Sequence, residues 1–334
     1  MGGHIITIDG GTTNTRAYLF DGAGKLLGEA KRTVGVRDTA RDGDTWRLKH
    51  AVRDCLEALL SDNGLCWDDV SDVLCSGMLT SNVGLVEIPH LTAPVSPADL
   101  ARGARRVAVS DVCPLPITFI PGVKNACGDV TDRSFEAMDM MRGEEVETFA
   151  LLECTDTRGD RLIVLPGSHT KFVSVDAEGR IAGCLTTITG ELLDAVTKHT
   201  ILADAVARRF VSEAEYDMGA MLTGFEAARR AGLGRACFSA RILSTFSDKT
   251  PVWLSNYLMG ACLEGDAEAV RGSKAIGHAR SALVAGRGVM SLALSDALAH
   301  AGLFEEVRRF DPGDAPLSGR GALMVARHIG LEGA

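Results

Sequence analysis

The stretch Asp9–Arg16 (DGGTTNTR) directly follows the apolar run Ile5–Ile8 (IITI), and this combination decides the fold. An altered copy occurs 155 positions further along, where Leu162–Leu165 (LIVL) precedes Pro166–Lys171 (PGSHTK). The residues that correspond at this offset are Thr15 and Thr170, Arg16 and Lys171, Asp21 and Asp176, Gly24 and Gly179, Lys25 and Arg180, Leu26 and Ile181, and Gly28 and Gly183. Each copy predicts a buried strand, a turn of small residues, a second strand, a hairpin and a third strand.

The two turns share a composition that suits phosphate binding. Both are rich in Gly, Thr and Ser, and each carries one cation, Arg16 or Lys171. Small residues let backbone N–H groups approach a phosphate, while hydroxyl and cationic side chains add further donors. We therefore expect the turns to face each other across two domains and to hold a polyphosphate. The expected contacts are Gly11, Thr12, Thr13, Asn14, Gly167, Ser168, Thr170 and Lys171. The alternative is two unrelated surface hairpins, since such turns are common.

Composition sets the class of the protein. A chain of 334 residues favours two domains over one core. Hydrophobic residues make up 46% and aromatic residues only 5%, so an aliphatic α/β core is expected. The net charge of -9 argues against nucleic acid and anionic membrane surfaces as partners. No apolar run is long enough to span a bilayer and the first strand begins at once, so we expect a cytoplasmic protein.

The nine cysteines form neither a C-x-x-C pair nor a Cys/His cluster at metal-ligand spacing. Cys75 and Cys184 lie in apolar runs and are typical of small core residues in a reducing compartment. The pattern therefore disfavours a zinc site.

The remaining chain alternates between strand and helix patterns. Residues 85–104 and 123–142 are irregular or mixed, and the domain boundary is expected near 124–145. The predicted helices are 44–62, 97–104, 143–154, most of 189–279 with breaks at 232–234 and Pro251, 289–302 and 319–329. The predicted later strands are 71–76, 106–110, 117–121, 281–285 and 304–309.

Two charged residues of the first turn are candidates for chemistry. Asp9 ends the first strand, where a carboxylate could hold a metal beside the β- and γ-phosphates. The alternative is an Asp that only starts the turn. Arg16 could neutralise the transferring phosphoryl group, or it could be a solvated strand residue.

Further carboxylates lie at predicted helix starts. In Met141–Glu145 (MRGEE), Glu144 is the candidate base for a substrate hydroxyl, with Asp139 and Asp129 as competitors. Carboxylates at a helix N-terminus also interact favourably with the helix dipole, which is the structural alternative. Glu191 has two interpretations as well, because it either caps a helix or faces the metal and phosphates.

Two more segments are candidates for ligand contacts. The polar loop Gly77–Gly84 offers Thr80, Ser81 and Asn82 to a sugar-like ligand, although it could equally be a surface turn. Arg142 could bind a substrate carboxylate bidentately or lie in solvent. Gly286, at a strand–Gly–helix junction, could let a nucleoside lie flat on the backbone.

These motifs together resemble the bacterial 2-dehydro-3-deoxygalactonokinases, within the actin, sugar kinase and Hsp70 ATPase superfamily. The resemblance runs over almost the whole chain, and the matching segments are Asp9–Arg16, Gly77–Met78, Ser81–Gly84, Ile120–Gly122, Met141–Glu145, Pro166–Lys171, Thr189–Leu192 and Val284–Gly286. Two residues depart from the family or sugar kinase pattern: Gly10, where a bulkier residue is frequent, and Glu144, where Asp is usual.

The resemblance implies a fold and an activity. It implies two RNase H-like domains, 1–135 and 136–334, with the second enlarged by helices and the last helix able to pack back on the first. It also implies ATP- and Mg²⁺-dependent phosphorylation of 2-dehydro-3-deoxygalactonate at the 6-hydroxyl, in galactonate or galactose catabolism. Under this interpretation Glu144, Asp9 and Arg16 are catalytic, and Asp9 and Glu191 hold the metal.

Other functions stay open from the sequence. A kinase of the same superfamily could act on 2-keto-3-deoxygluconate or another hydroxy acid. A chaperone or filament protein is disfavoured, because the chain has little beyond the paired core. A catalytically inactive sugar-acid sensor is a further alternative, and a homodimer is compatible with the sequence.

Overall fold

A computed structural model describes residues 3–155, 159–277 and 279–329, in which helices surround three sheets. The strands are β1 (His4–Gly10), β2 (Thr15–Phe20), β3 (Leu26–Arg32), β4 (Val70–Gly77), β5 (Leu91–Thr92), β6 (Arg105–Val107), β7 (Ile117–Phe119), β8 (Val123–Lys124), β9 (Met140–Met141), β10 (Arg161–Leu165), β11 (Thr170–Val175), β12 (Ile181–Thr187), β13 (Ser281–Ala285) and β14 (Glu306–Phe310). The α-helices are α1 (Val36–Asp42), α2 (Trp46–Asn63), α3 (Pro97–Gly103), α4 (Glu144–Thr155), α5 (Thr189–His199), α6 (Met218–Ala231), α7 (Leu233–Phe246), α8 (Pro251–Gly272), α9 (Gly288–Ala301) and α10 (Leu317–Ile329).

The two large sheets repeat one topology. Their strand orders are β3-β2-β1-β4-β7-β6 and β12-β11-β10-β13-β14. In each sheet the first three strands are antiparallel and the fourth pairs in parallel with the first. This is the RNase H-like arrangement, so the predicted α/β fold of two actin-like ATPase domains is confirmed.

Two helices fill the space between the large sheets. Buried residues of α4 and α10, among them Phe149 and Val325, form one core with Leu74 of the first sheet and Ile163 of the second. The helices cross closely because α10 has Gly321, where a Cβ atom would lie 1.9 Å from the Val146 carbonyl oxygen. The last helix therefore packs against the first sheet, and α4 begins at the cleft between the sheets.

The helical insertion between β12 and β13 enlarges the second half. Its longest helix, α8, begins at Pro251, which needs no N–H partner at the first helical position. Thr250 caps this helix, because its hydroxyl accepts the Trp253 N–H at 3.2 Å. The predicted break at Pro251 is therefore a helix start.

A small third sheet was not predicted. It consists of β5, β8 and β9, each two residues long, and such strands are too short to show a period. Helix α1 was also missed. The small sheet matters because β9 leads directly into Arg142 and α4.

Among the described residues, no helix combines the length and apolar character that crossing a bilayer requires. The division at residues 135 and 136 stays a prediction, and the outermost residues of the two predicted domains, 1–2 and 330–334, lie outside the described part.

Candidate active site

A cavity of about 500 Å³ lies where the two repeated turns meet. The first turn contributes Gly11 and Thr12, and the second contributes His169 and Lys171. The other residues that line the cavity are Asp9, Gly10, Met78, Ser81, Asn82, Glu87, Ile88, Pro89, His90, Met140, Met141, Arg142, Gly143, Glu144 and Glu147. The two turns therefore face one cavity, and they are not unrelated surface hairpins.

Asp9, which lines the cavity, forms a cross-strand pair with Arg16, which does not line it. They lie opposite each other on β1 and β2, and Arg16 Nη1 is 3.6 Å from Asp9 Oδ2. Burial raises the pKa of Asp9, and the Arg16 charge and a hydrogen bond from Ser318 partly oppose this shift. Glu144 raises the pKa of Asp9 further, so the two carboxylates lie within electrostatic reach of each other.

Only one of the two glutamates at the start of α4 lines the cavity. Glu144 does so, and its Oε2 accepts the Arg142 backbone N–H at 3.0 Å. Glu145 is buried, and its two carboxylate oxygens accept the Gly143 N–H at 2.9 and 2.8 Å. Burial, followed by the charge of Glu144, raises the pKa of Glu145 to about 8.

The competing aspartates are placed elsewhere. Asp139 accepts the backbone N–H of Thr186 at 2.5 Å and its hydroxyl at 2.9 Å. Asp129 is exposed, and neither aspartate lines the cavity. Glu144 is thus the only one of the three candidate bases on the cavity wall.

Glu147 is a cavity residue that the sequence analysis missed. It follows Glu144 by three residues on α4, and residues at this spacing share a helix face. Burial, the charge of Asp9 and the charge of Glu144 raise the pKa of Glu147 to about 8. The helical spacing from Glu144 was the available signal.

Asp9 and Glu191, the two predicted metal ligands, line different cavities. Glu191 pairs with His169, with Nε2 and Oε1 3.2 Å apart, and lines a neighbouring cavity with Ser168. Among the described residues, no three or more His, Cys, Asp or Glu side chains could enclose a metal. Mg²⁺ commonly binds to one or two carboxylates plus substrate phosphates, and Asp9 with Glu144 or Glu147 fits that form.

Hydrogen bonds within the first turn and from the start of α1 stabilise its conformation. The Gly11 N–H donates to the Asn14 carbonyl at 2.8 Å, and the Asn14 amide donates to the Thr13 hydroxyl at 3.0 Å. At the start of α1, the Arg37 N–H donates to the Thr12 carbonyl at 3.0 Å. Thr13 and Asn14 shape the turn but do not line the cavity.

The second turn is braced by its cation. Lys171 Nζ donates to the Met140 carbonyl at 2.7 Å and to the Thr186 hydroxyl at 2.6 Å. Thr170 is fully buried. Behind the turn, a Cβ atom at Gly190 would lie 2.2 Å from the Gly167 carbonyl oxygen, so only glycine lets α5 begin there.

The predicted substrate residues divide into two groups. Ser81 and Asn82 line the cavity, whereas Thr80 is buried beneath it. Arg142 Nη1 donates to the Thr80 carbonyl and hydroxyl, at 2.6 and 2.5 Å. Arg142 Nη2 donates to the Ile88 carbonyl at 3.0 Å and to His90 Nδ1 at 3.1 Å. The Arg142 guanidinium therefore braces the loop, and its terminal nitrogens are not presented as a bidentate carboxylate clamp.

Gly286 lies beside the second turn rather than in the main cavity. A Cβ atom there would lie 4.0 Å from Pro166 Cδ, which is ordinary contact distance. Its φ of 132° favours glycine, and its N–H donates to the Phe310 carbonyl at 3.0 Å. The position adjoins the expected phosphate site, while its contact with a nucleoside stays a prediction.

The fold and cavity define a two-domain protein of the actin-like ATPase and sugar kinase class. The chain belongs to the 2-keto-3-deoxy-galactonokinase family, whose model matches residues 9–320. A relative named as a probable 2-dehydro-3-deoxygalactonokinase, from Rhizobium meliloti (strain 1021), is 29% identical over 205 residues, which are 61% of this chain and 60% of the relative. The 2-dehydro-3-deoxygalactonokinase of Escherichia coli (strain K12) is 29% identical over 203 residues, which are 60% of this chain and 59% of that protein.

The match thus spans about 60% of the length of these curated relatives. A crystal structure of a Sinorhizobium meliloti protein assigned as a 2-dehydro-3-deoxygalactonokinase superposes with a TM-score of 0.76 at 24% identity. The superposition covers 98% of this chain and 99% of that one, and it supports the fold.

Proposed function

We propose that this protein is a cytoplasmic, Mg²⁺-dependent kinase that transfers the γ-phosphoryl group of ATP to the 6-hydroxyl of 2-dehydro-3-deoxygalactonate, in galactonate degradation. The observation that carries the proposal is a single cavity shared by both glycine-rich turns and the carboxylates at the start of α4. Membership of the 2-keto-3-deoxy-galactonokinase family supports the substrate.

The residues at the site have different roles in the proposed reaction. Glu144 accepts the proton of the 6-hydroxyl while the hydroxyl oxygen forms a bond to the γ-phosphorus. The bond from that phosphorus to the bridging oxygen breaks, and ADP leaves. Arg16 offsets charge on the transferring group, and backbone N–H groups of the two turns bind the phosphates. Asp9 with Glu147 would hold Mg²⁺, which neutralises phosphate charge when bound, so that Glu144 can accept the proton.

A substrate comparison tests the proposed activity. Purified protein with ATP and Mg²⁺ should turn over 2-dehydro-3-deoxygalactonate faster than 2-dehydro-3-deoxygluconate, and NMR of the product should place the phosphate on C6. ATP hydrolysis without a sugar acid should be negligible, unlike in a chaperone or filament protein. Faster turnover of the gluconate epimer would reassign the substrate, and no turnover of any sugar acid would reject the kinase.

Substitution of Glu144 tests its role as the base. Glu144→Gln keeps the size of the side chain and should lower kcat about 100- to 10,000-fold, the usual value of general base catalysis. Glu153→Gln is the matched control, because Glu153 is exposed on the same helix and pairs with Arg327 at 3.0 Å. If Asp129→Asn lowered kcat and Glu144→Gln did not, Asp129 would be the base.

A further inference from the structure

His90 is a cavity residue that the roles above do not use. It precedes β5 and lies on the cavity wall with Ser81 and Asn82. Gly122 makes room for its ring, since a Cβ atom there would lie 2.8 Å from His90 Cδ2 and 3.2 Å from Nε2. Glycine at this position thus leaves room for the imidazole, whose Cδ2–Nε2 edge lies against it.

The partner of His90 fixes its tautomer. Arg142 Nη2 lies 3.1 Å from His90 Nδ1, and a guanidinium can only donate a hydrogen bond. Nδ1 must therefore accept, and in the neutral ring the proton is on Nε2. Burial and the charges of Arg142, Lys124 and Lys171 lower the pKa of His90 to about 4, which keeps the ring neutral at ordinary pH.

The surroundings of His90 favour an anion. The charges that act on it most strongly are those of the three cations Arg142, Lys124 and Lys171. Arg142 and Lys171 already donate to protein acceptors, whereas His90 Nε2 donates to no partner within the described ranges. One carboxylate, Glu87, also lines the cavity, and it is exposed.

We propose that the Nε2–H of His90 recognises the carboxylate of the sugar acid, so that His90 determines specificity for acids over neutral sugars. The proposal rests on the proposed function. The carboxylate end of the substrate then lies by His90, Ser81 and Asn82, and the terminal hydroxyl lies by Glu144. Arg142 acts through His90, because its donation to Nδ1 leaves the proton of the neutral ring on Nε2.

Three substitutions of His90 test this assignment. His90→Phe removes both ring nitrogens and should raise the KM for the sugar acid about 10- to 100-fold, with kcat changed less than about threefold, as expected for a lost hydrogen bond to a charged group. His90→Gln places an amide N–H near the Nε2 position and should recover part of the affinity. His90→Asn keeps an acceptor near Nδ1 for Arg142 but lacks the distal donor, and should not recover it.

Control measurements separate the possible results. His300→Phe removes a surface histidine that pairs with Glu226 in a 2.8 Å contact, and should leave KM unchanged. Thermal unfolding shows whether each variant is folded. A neutral 3-deoxy sugar without the carboxylate should lose no kcat/KM in His90→Phe, so the preference for the acid should fall by the same factor as the affinity.

The outcomes distinguish this inference from the function on which it rests. Recovery by His90→Asn but not by His90→Gln would mean that His90 only positions Arg142, and would overturn the proposal. A rise in the KM for ATP instead of the sugar acid would assign His90 to phosphate and overturn it too. An unchanged KM in His90→Phe rejects the inference alone, whereas a wild-type protein without sugar-acid kinase activity rejects both.

Discussion

The two copies of the repeated unit have the same strand order but present their cations differently. In the first copy Arg16 faces Asp9 across the hairpin, and its side chain is 44% exposed. In the second copy Lys171 faces Leu165, and Lys171 is only 8% exposed with its ammonium group bound to protein oxygens. The duplication therefore preserves the scaffold, while Arg16 is half-exposed and pairs with a carboxylate, and Lys171 is buried at the cavity wall and binds protein oxygens.

The same contrast holds for the buried acids. Asp9 of the first half has a cation opposite it, and it lines the cavity. Asp266 of the second half is buried beneath the start of α5, where it accepts the Thr189 hydroxyl. Burial raises the pKa of Asp266 to about 6, and the hydroxyls of Thr189 and Thr187 oppose the shift. One acid therefore faces the cavity, and the other is buried beneath a helix.

Among the tests of this comparison, the largest effect is expected at Asp9. Asp9→Asn should lower kcat about 1,000-fold while the KM for the sugar acid changes little, because the lost charge acts on the transferring group. Steady-state kinetics with varied Mg²⁺ measure this. Asp21→Asn is the control in the neighbouring hairpin, where Asp21 accepts the N–H groups of Ala23 and Lys25, both at 2.9 Å. If the kcat of Asp9→Asn were within threefold of wild type, Asp9 would have no role in the mechanism.

The pH dependence of stability sharpens the comparison of the acids. The pKa of Asp266 is about 6 in the folded protein against 3.8 as the ordinary value, so the folded state binds the proton more tightly. The stabilisation of the folded state by protonated Asp266 is fully present below pH 3.8 and is lost as the pH rises through 6. The difference in unfolding free energy between wild type and Asp266→Asn should therefore fall by about 3 kcal/mol over this range.

Denaturant titrations of both proteins from pH 4 to pH 7 measure this difference. Asn can still accept the Thr189 hydroxyl, so the variant removes the titration and keeps the contact. A constant difference across the range would contradict the raised pKa of Asp266.

The sequence predicted the scaffold well because the repeat lies in buried strands with a clear pattern. It predicted Arg16 as a catalytic residue and Lys171 as a phosphate contact, but it could not show which neighbouring elements each cation meets. The Met140 carbonyl that binds Lys171 lies in β9, a two-residue strand without a period. His90 was missed for the same reason, because it lies in the irregular segment 85–104.

Replacing each cation by Met tests whether their roles differ. Arg16→Met should lower kcat about 100-fold and change stability by less than about 1 kcal/mol, because the Arg16 side chain is 44% exposed and Asp9 can bind a proton when its cation is lost. Lys171→Met should cost about 2 kcal/mol of stability, because two protein acceptors lose their donor. Kinetics and denaturant unfolding of both variants measure the two effects. Equal losses of stability would contradict the larger structural contribution that we expect from Lys171.

The smallest expected effect compares the threonines that precede the two cations. Thr15 and Thr170 are both fully buried, but the Thr15 hydroxyl donates to the Val34 carbonyl at 2.9 Å, whereas the Thr170 hydroxyl has no hydrogen-bond partner among the described residues. Thr15→Val should therefore cost about 1 kcal/mol of stability, and Thr170→Val should be neutral or slightly stabilising. Denaturant unfolding of the two variants measures the difference. If Thr170→Val were destabilising and ATP protected wild type more than the variant, the Thr170 hydroxyl would be a phosphate ligand in addition to the backbone N–H groups of the two turns.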